Sequence, residues 1–310
     1  MKPLVMETIC EQTIWGNNNL SQKRNHSTDY IGTWWEVSAH PYCSTRITNL
    51  EGNPTLQEVI DENPEDILGP GLTLENCLRL AYLDAKEDLS IQVHPGDDYA
   101  ITHAKDNGKT ESWYIIDCKP GATLVAGTKT ENCDLIRSSL QDHTLEKHLQ
   151  KWQMHPGDFI VIPSGTLHAL GKDILALEIG TNSNTTYRFY DYDRKDANGK
   201  KRPLHLKESF DVLQADNQPI YIPANNQSHR LCDIDQFTVD ELYAQSDTRL
   251  VCTDSYFIVS NISSNEVQLF WQDTTIILPA YSSAFIPFSA QKITICKGSH
   301  VLISKPKRRD

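Results

Sequence analysis

The sequence predicts a mainly β protein in two parts, each a β-sandwich or jelly-roll barrel, with a few helices on the first. Three observations carry this expectation. Short apolar runs broken by Gly, Pro, Asn and Asp recur along most of the chain, as in "ATLVAG", "DFIVIP" and "DILALEIG". Helical patterning is confined to two stretches. The segment "LQADNQPIYIPANNQSH", rich in Asn, Gln and Pro, separates two strand-rich regions and places a boundary near 215–228, giving parts 1–215 and 216–310.

Taken in order, "NPTLQEVIDENPEDILG" is the first helical stretch, with Thr55 as N-cap and Glu58 as its capping-box partner. "LENCLRLAYLDA" fits a helix or a strand equally well. "DLSIQVHPGDDYA" alternates Ser90, Gln92 and His94 with Ile91 and Val93, so a strand here has one polar and one apolar face. That polar face meets water or lines a site. "ESWYIID" and "YRFYDYD" complete the strands of the first part. Between them, the leucine spacing of "TENCDLIRSSLQDHTLEKHLQKWQM" predicts two short helices split near Asp142. In the last hundred residues, "YFIVSNIS", "EVQLFWQ", "TIILPAYSSAFIP" and "KITICKGSHVLIS" repeat the strand pattern without any His–Glu constellation, which makes this part structural.

Composition narrows the function. The 310 residues include 39% hydrophobic and 23% charged, as in folded soluble proteins, and the formal charge of −12 argues against nucleic acid as a partner. No run is long and apolar enough to span a membrane, and the N-terminus lacks the features of a signal peptide. The eight cysteines never form C-x-x-C, so reduced thiols in a cytoplasmic protein are expected. The basic "KPKRRD" reads as a solvated tail.

The chemistry gathers in the first part. A metal site in a β-barrel draws ligands from several strands on the inner face. Gln92 and His94 share one face, and Glu111 opens the next buried run with Lys109 on its side. His168 follows Gly157, Pro163 and Gly165 at a spacing that makes a tight turn and aims the imidazole into the barrel. Two imidazoles and a carboxylate are the ligands of a catalytic Zn²⁺ with an open position, and Gln92 is a weaker fourth. On chemistry alone Fe²⁺ and Mn²⁺ stay open. His40 and His103 have no visible partner. His155, in "QMHPGD", reads as a turn, as do Asp97 and Asp98.

"PSGTLHALG" resembles the second cupin motif. "IWG", "WWEVSAHP", "LSIQVHP", "GKTESWY", "DFIVIPSGTLHAL" and "NTTYRFYDYDR", in this order, resemble type I mannose-6-phosphate isomerases in their short bacterial form. The resemblance spans residues from about 10 to 210. It implies a pair of jelly-roll cupin domains, one Zn²⁺ per chain on Gln92, His94, Glu111 and His168, and a small sugar phosphate as the partner molecule. The implied reaction interconverts mannose 6-phosphate and fructose 6-phosphate through a cis-enediol. Arg188 falls on the family's catalytic arginine, suited to an enediolate. Lys109 matches the family's lysine, where a nearby dication would lower its pKa. Glu178, alternating with Ala176 and Ile174, is the other candidate base and the preferred one. Ser90 and Arg194 are the implied phosphate contacts. The chain departs from the family at Ala81 (usually lysine), Asn184 (usually aspartate) and Asn17 (commonly glycine). Two rival readings remain: a non-catalytic cupin that senses a sugar phosphate, and an Fe²⁺ oxygenase, which explains neither Lys109 nor Arg188.

Overall fold

A computed structural model describes residues 1–27, 29–195 and 199–308. The fold is mainly β, as expected, and its four principal sheets stack as layers. The outermost has five strands in the order Leu149–Gln153, Thr123–Thr128, His168–Ala169, Ile91–Val93 and Tyr187–Tyr190. Facing it is a seven-stranded sheet ordered Ile220–Ile222, Phe159–Ile162, Glu111–Cys118, Ile174–Thr181, Leu78–Ala85, Thr33–Val37 and Ile9–Glu11. A six-stranded sheet packs on its far side, and a four-stranded sheet closes the stack.

Strand parity explains the layering. Leu78–Ala85 is buried along its whole length. Leu78, Leu80 and Tyr82 enter the core shared with Phe237, Ile258 and Phe285 of the six-stranded sheet. Leu83 and Ala85 enter the core shared with the five-stranded sheet. A sheet buried on both faces needs apolar residues at both parities, and this run has them. The ambiguous "LENCLRLAYLDA" is therefore a strand over most of its length. Polar groups between layers are paired: Tyr82 donates to the Asn261 carbonyl at 3.2 Å, and Tyr114 to Glu241 at 2.7 Å. The N-terminal Leu4–Val5 joins the six-stranded sheet by pairing with Phe285 and Ala284.

The helix Leu56–Glu62 carries the expected Thr55–Glu58 capping box, and Pro64 starts a second helix, Pro64–Leu68. The later helical stretch differs from expectation. Cys133–Gln141 is a helix, but Leu145–Lys147 is a single 3₁₀ turn and Leu149–Gln153 an edge strand. Leu145 and Leu149 are both buried at helical spacing, and the strand's own alternation is broken by a bulge between Leu149 and Lys151. The basic tail is also not free in solvent. Lys305 and Pro306 end the strand His300–Pro306, Lys307 pairs with Asp233, and Arg308 bonds the Pro70 carbonyl. Its last two residues lie outside the described ones.

Candidate metal centre

The inner face of the seven-stranded sheet is apolar at one end and polar at the other. Ile174, Ala176, Trp113 and Ile115 fill the apolar end. At the polar end Glu111, Gly180 and Arg79 lie side by side across three strands, with Glu178 two residues away on the same face. The five-stranded sheet answers with a matching row. Gln92 pairs with His168 on one side and Arg188 on the other, so all three point the same way. The polar face of "SIQVH" therefore lines a site, while Ile91 and Val93 are fully buried on the opposite side.

Where the two rows meet, His94, Glu111 and His168 place one ligand atom each within 4.8 Å of one another. Nε2 of His94 is 3.3 Å from Glu111 Oε2, and Nε2 of His168 is 3.1 Å from Oε1. Gln92 Nε2 lies 3.3 Å from His168 Nε2. The turn that delivers His168 is pinned to the ligand strand, because the Gly165 amide donates to the His94 carbonyl at 2.8 Å. Gly165 has φ +84°, and a Cβ there would meet Gln214 Cγ at 2.9 Å, so glycine is required.

Each imidazole has its tautomer fixed by a backbone carbonyl. Nδ1 of His94 bonds the Thr185 carbonyl at 2.9 Å, and Nδ1 of His168 the Thr166 carbonyl at 2.8 Å. A carbonyl only accepts, so Nδ1 carries the proton and Nε2 presents a lone pair to the cluster. His94 Nε2 and Glu111 Oε1 are buried without a hydrogen-bond donor, while Oε2 has the Lys109 ammonium at 2.7 Å. Buried unsatisfied acceptors are costly unless something binds them. Nε2 of both imidazoles and the Glu111 carboxylate converge as lone-pair donors, a set that suits a metal ion beside the Lys109 ammonium.

Electrostatics agree. Burial first, and Lys109 second, push the His94 pKa down to about 4, leaving a neutral ligand at pH 7. Burial raises the Glu111 carboxyl, but Lys109 and the two imidazoles outweigh it and hold it well below the usual range. Lys109 bridges two carboxylates, 2.7 Å from Glu111 and 2.9 Å from Glu178. Burial lowers its pKa, yet the two acids prevail and raise it. Burial and the charge of Glu111 raise Glu178.

The outer residues are more dispersed. Arg188 is half-buried, donates to the Pro203 carbonyl at 3.0 Å and keeps a buried, unpartnered Nε. Ser90 is buried one residue before the ligand strand. Arg194 does not reach the metal cluster in these contacts; it is tied to Asp191 at 2.6 Å and to the Asp88 carbonyl. Sequence reasoning missed Arg202, which shares Asp191 at 2.6 Å, and it left His40 without the partner it has in Asp106 at 3.1 Å. Neither pairing leaves a spacing signal. Arg79, two residues before Ala81 in the same strand, stacks on Trp35 at 3.7 Å and donates to Asn184 Oδ1 at 2.8 Å.

No protein-family model matches the chain. Among curated proteins, the probable mannose-6-phosphate isomerase GmuF of Bacillus subtilis (strain 168) is 41% identical over 217 residues, 68% of each chain. The mannose-6-phosphate isomerase of Streptococcus mutans serotype c is 34% identical over 268 residues, 84% of each. A crystal structure of the mannose 6-phosphate isomerase from Bacillus subtilis superposes with a TM-score of 0.87 at 29% identity, covering 98% of this chain and 99% of that one. With this similarity in sequence and in fold, the chain belongs to the mannose-6-phosphate isomerase family.

Proposed function

We propose that the chain is a metal-dependent aldose–ketose isomerase that interconverts mannose 6-phosphate and fructose 6-phosphate. Gln92, His94, Glu111 and His168 would hold a single Zn²⁺. The observation that carries this reading is the buried convergence of His94, Glu111 and His168 ligand atoms within 4.8 Å of one another, beside a Lys109–Glu178 pair. When bound, the ion supplies Lewis-acid polarisation and an anchor for the sugar oxygens.

The remaining chemistry belongs to the chain's own side chains. Glu178 takes the proton from C2 and Lys109, in contact with it, holds the carboxylate in place; the proton is returned at C1. Arg188, beside Gln92 in the row, offsets the charge of the enediolate. Ser90 and Arg194 are assigned to the phosphate, with Arg202 adding a third guanidinium to the neighbourhood of Arg188. The chain works on a free sugar phosphate in the cytoplasm.

The test is a coupled assay on the purified chain with Zn²⁺. Conversion of mannose 6-phosphate is expected, and Arg188→Ala should abolish it while metal content stays at the wild-type level. Tight sugar-phosphate binding without turnover would establish the sensor reading instead.

A further inference from the structure

The carbonyl that fixes His94 comes from Thr185, in an irregular segment between the strands Ile174–Thr181 and Tyr187–Tyr190. Such a segment has no ladder of its own to hold a carbonyl in place. Asp106 takes most of its side-chain hydrogen bonds. Asp106 Oδ2 accepts from the Asn184 amide at 2.8 Å, from Thr185 Oγ1 at 2.7 Å and from Ser183 Oγ at 3.2 Å. Its Oδ1 accepts from the Asn107 amide at 2.8 Å and faces His40 Nε2 at 3.1 Å.

His40 completes the arrangement. The Tyr42 amide donates to His40 Nδ1 at 3.0 Å, so the proton sits on Nε2 and points at the Asp106 carboxylate. Burial raises the Asp106 carboxyl, but these donors, His40 first among them, hold it far below the usual range, so it remains an acceptor. Arg79 clamps the other side of the segment through the Ser183 carbonyl at 3.0 Å.

We propose that Asp106, oriented by His40, is a positioning residue of the metal centre. It fixes the Ser183–Thr185 backbone so that the Thr185 carbonyl locks His94 with Nε2 aimed at the ion. The inference rests on the metal reading of the cluster. It assigns a role to the His40–Asp106 pair, which touches neither the ligands nor the candidate acid–base pair. Outer hydrogen bonds of this kind orient ligand imidazoles, and their loss typically weakens metal binding about 10–100-fold.

The test uses the full chain as wild type, Asp106→Asn and Thr185→Val. Zn²⁺ affinity is read by competition with a chromophoric chelator. The His94 tautomer is read in the metal-free protein by ¹⁵N NMR of labelled histidine. Asp106→Asn should bind Zn²⁺ about 10–100-fold more weakly and show His94 exchanging between tautomers. Thr185→Val, which keeps the carbonyl and removes one donor to Asp106, should weaken binding by a smaller factor. It serves as the test if Asp106→Asn does not fold. An unchanged affinity together with an unchanged Nδ1–H signal in the variants would overturn the proposal. A wild-type chain with a locked His94 that takes up no Zn²⁺ would overturn the metal reading, and this one with it.

Discussion

Lys109, two residues before the strand Glu111–Cys118, and Glu178, on the neighbouring strand, meet at 2.9 Å, where both side chains are buried. A carboxylate so placed can take a proton from a bound sugar without competition from bulk water. Glu178→Gln preserves shape and removes the proposed base. Its kcat should fall by about 10²–10⁴ with zinc content unchanged. Substrate incubated in D₂O should then gain no deuterium. A variant within tenfold of wild type would remove Glu178 from the acid–base role.

Metal should stabilise the fold as well as the reaction. At about 100 times its Kd, a ligand that binds only the native state contributes roughly 2.7 kcal/mol. For a chain of this size each kcal/mol moves Tm by a few degrees, about 2–4 °C in somewhat smaller domains. Chelation of wild type should therefore lower Tm by several degrees. His168→Ala should start from the lower Tm and show no response to chelator. Equal responses in the two proteins would place the bound metal elsewhere.

The turn before His168 offers a backbone test. At Gly165, φ +84° and a 2.9 Å approach to Gln214 leave no room for Cβ. Gly165→Ala should cost about 1–2 kcal/mol in urea unfolding. Because the Gly165 amide holds the His94 carbonyl, zinc affinity should fall with it. Unaltered stability would mean that the turn relaxes freely.

Asp84 predicts a pH dependence away from the site. Burial, against the hydrogen bonds it accepts from the Leu20 amide and neighbours, pushes its pKa up to about 6 from 3.8. Between those values the folded chain keeps a proton that the unfolded chain has released. Its stabilising contribution is therefore present below about pH 4 and is lost as pH rises through 6. The difference is on the order of 3 kcal/mol. Asp84→Asn keeps an acceptor for Leu20 and removes the titration. Urea unfolding of variant and wild type should diverge from pH 4 to 6, the variant becoming the more stable. Parallel curves would show that Asp84 titrates normally.

Much of this centre was legible in sequence because period-2 alternation survives folding. Gln92 with His94, Glu111 with Lys109, and Glu178 with Ala176 each fall on the face their parity assigns. Two kinds of information were not local. A bulge erased alternation in Leu149–Gln153, leaving buried leucines at a spacing that mimics a helix. The His40–Asp106 pair joins residues 66 positions apart and exists only once the strand Ala39–His40 and the loop bearing Asp106 are brought together. The tail misled for a similar reason, since its charges find Asp233 and Pro70 only in the folded state.

The middle sheet, greasy on both sides, ties the birth of this molecule to its last residues. A ribosome that has released the chain through Ile220–Ile222, the last strand of this sheet, has already exposed Leu80, Tyr82, Leu177 and Ile179, whose cover (Phe237, Ile258, Phe285) is still being made. Until that cover emerges, the half bearing the chemistry offers a sticky plank to chaperones and to its own siblings. Shortened versions cut just after Ile222 should therefore collect in inclusion bodies.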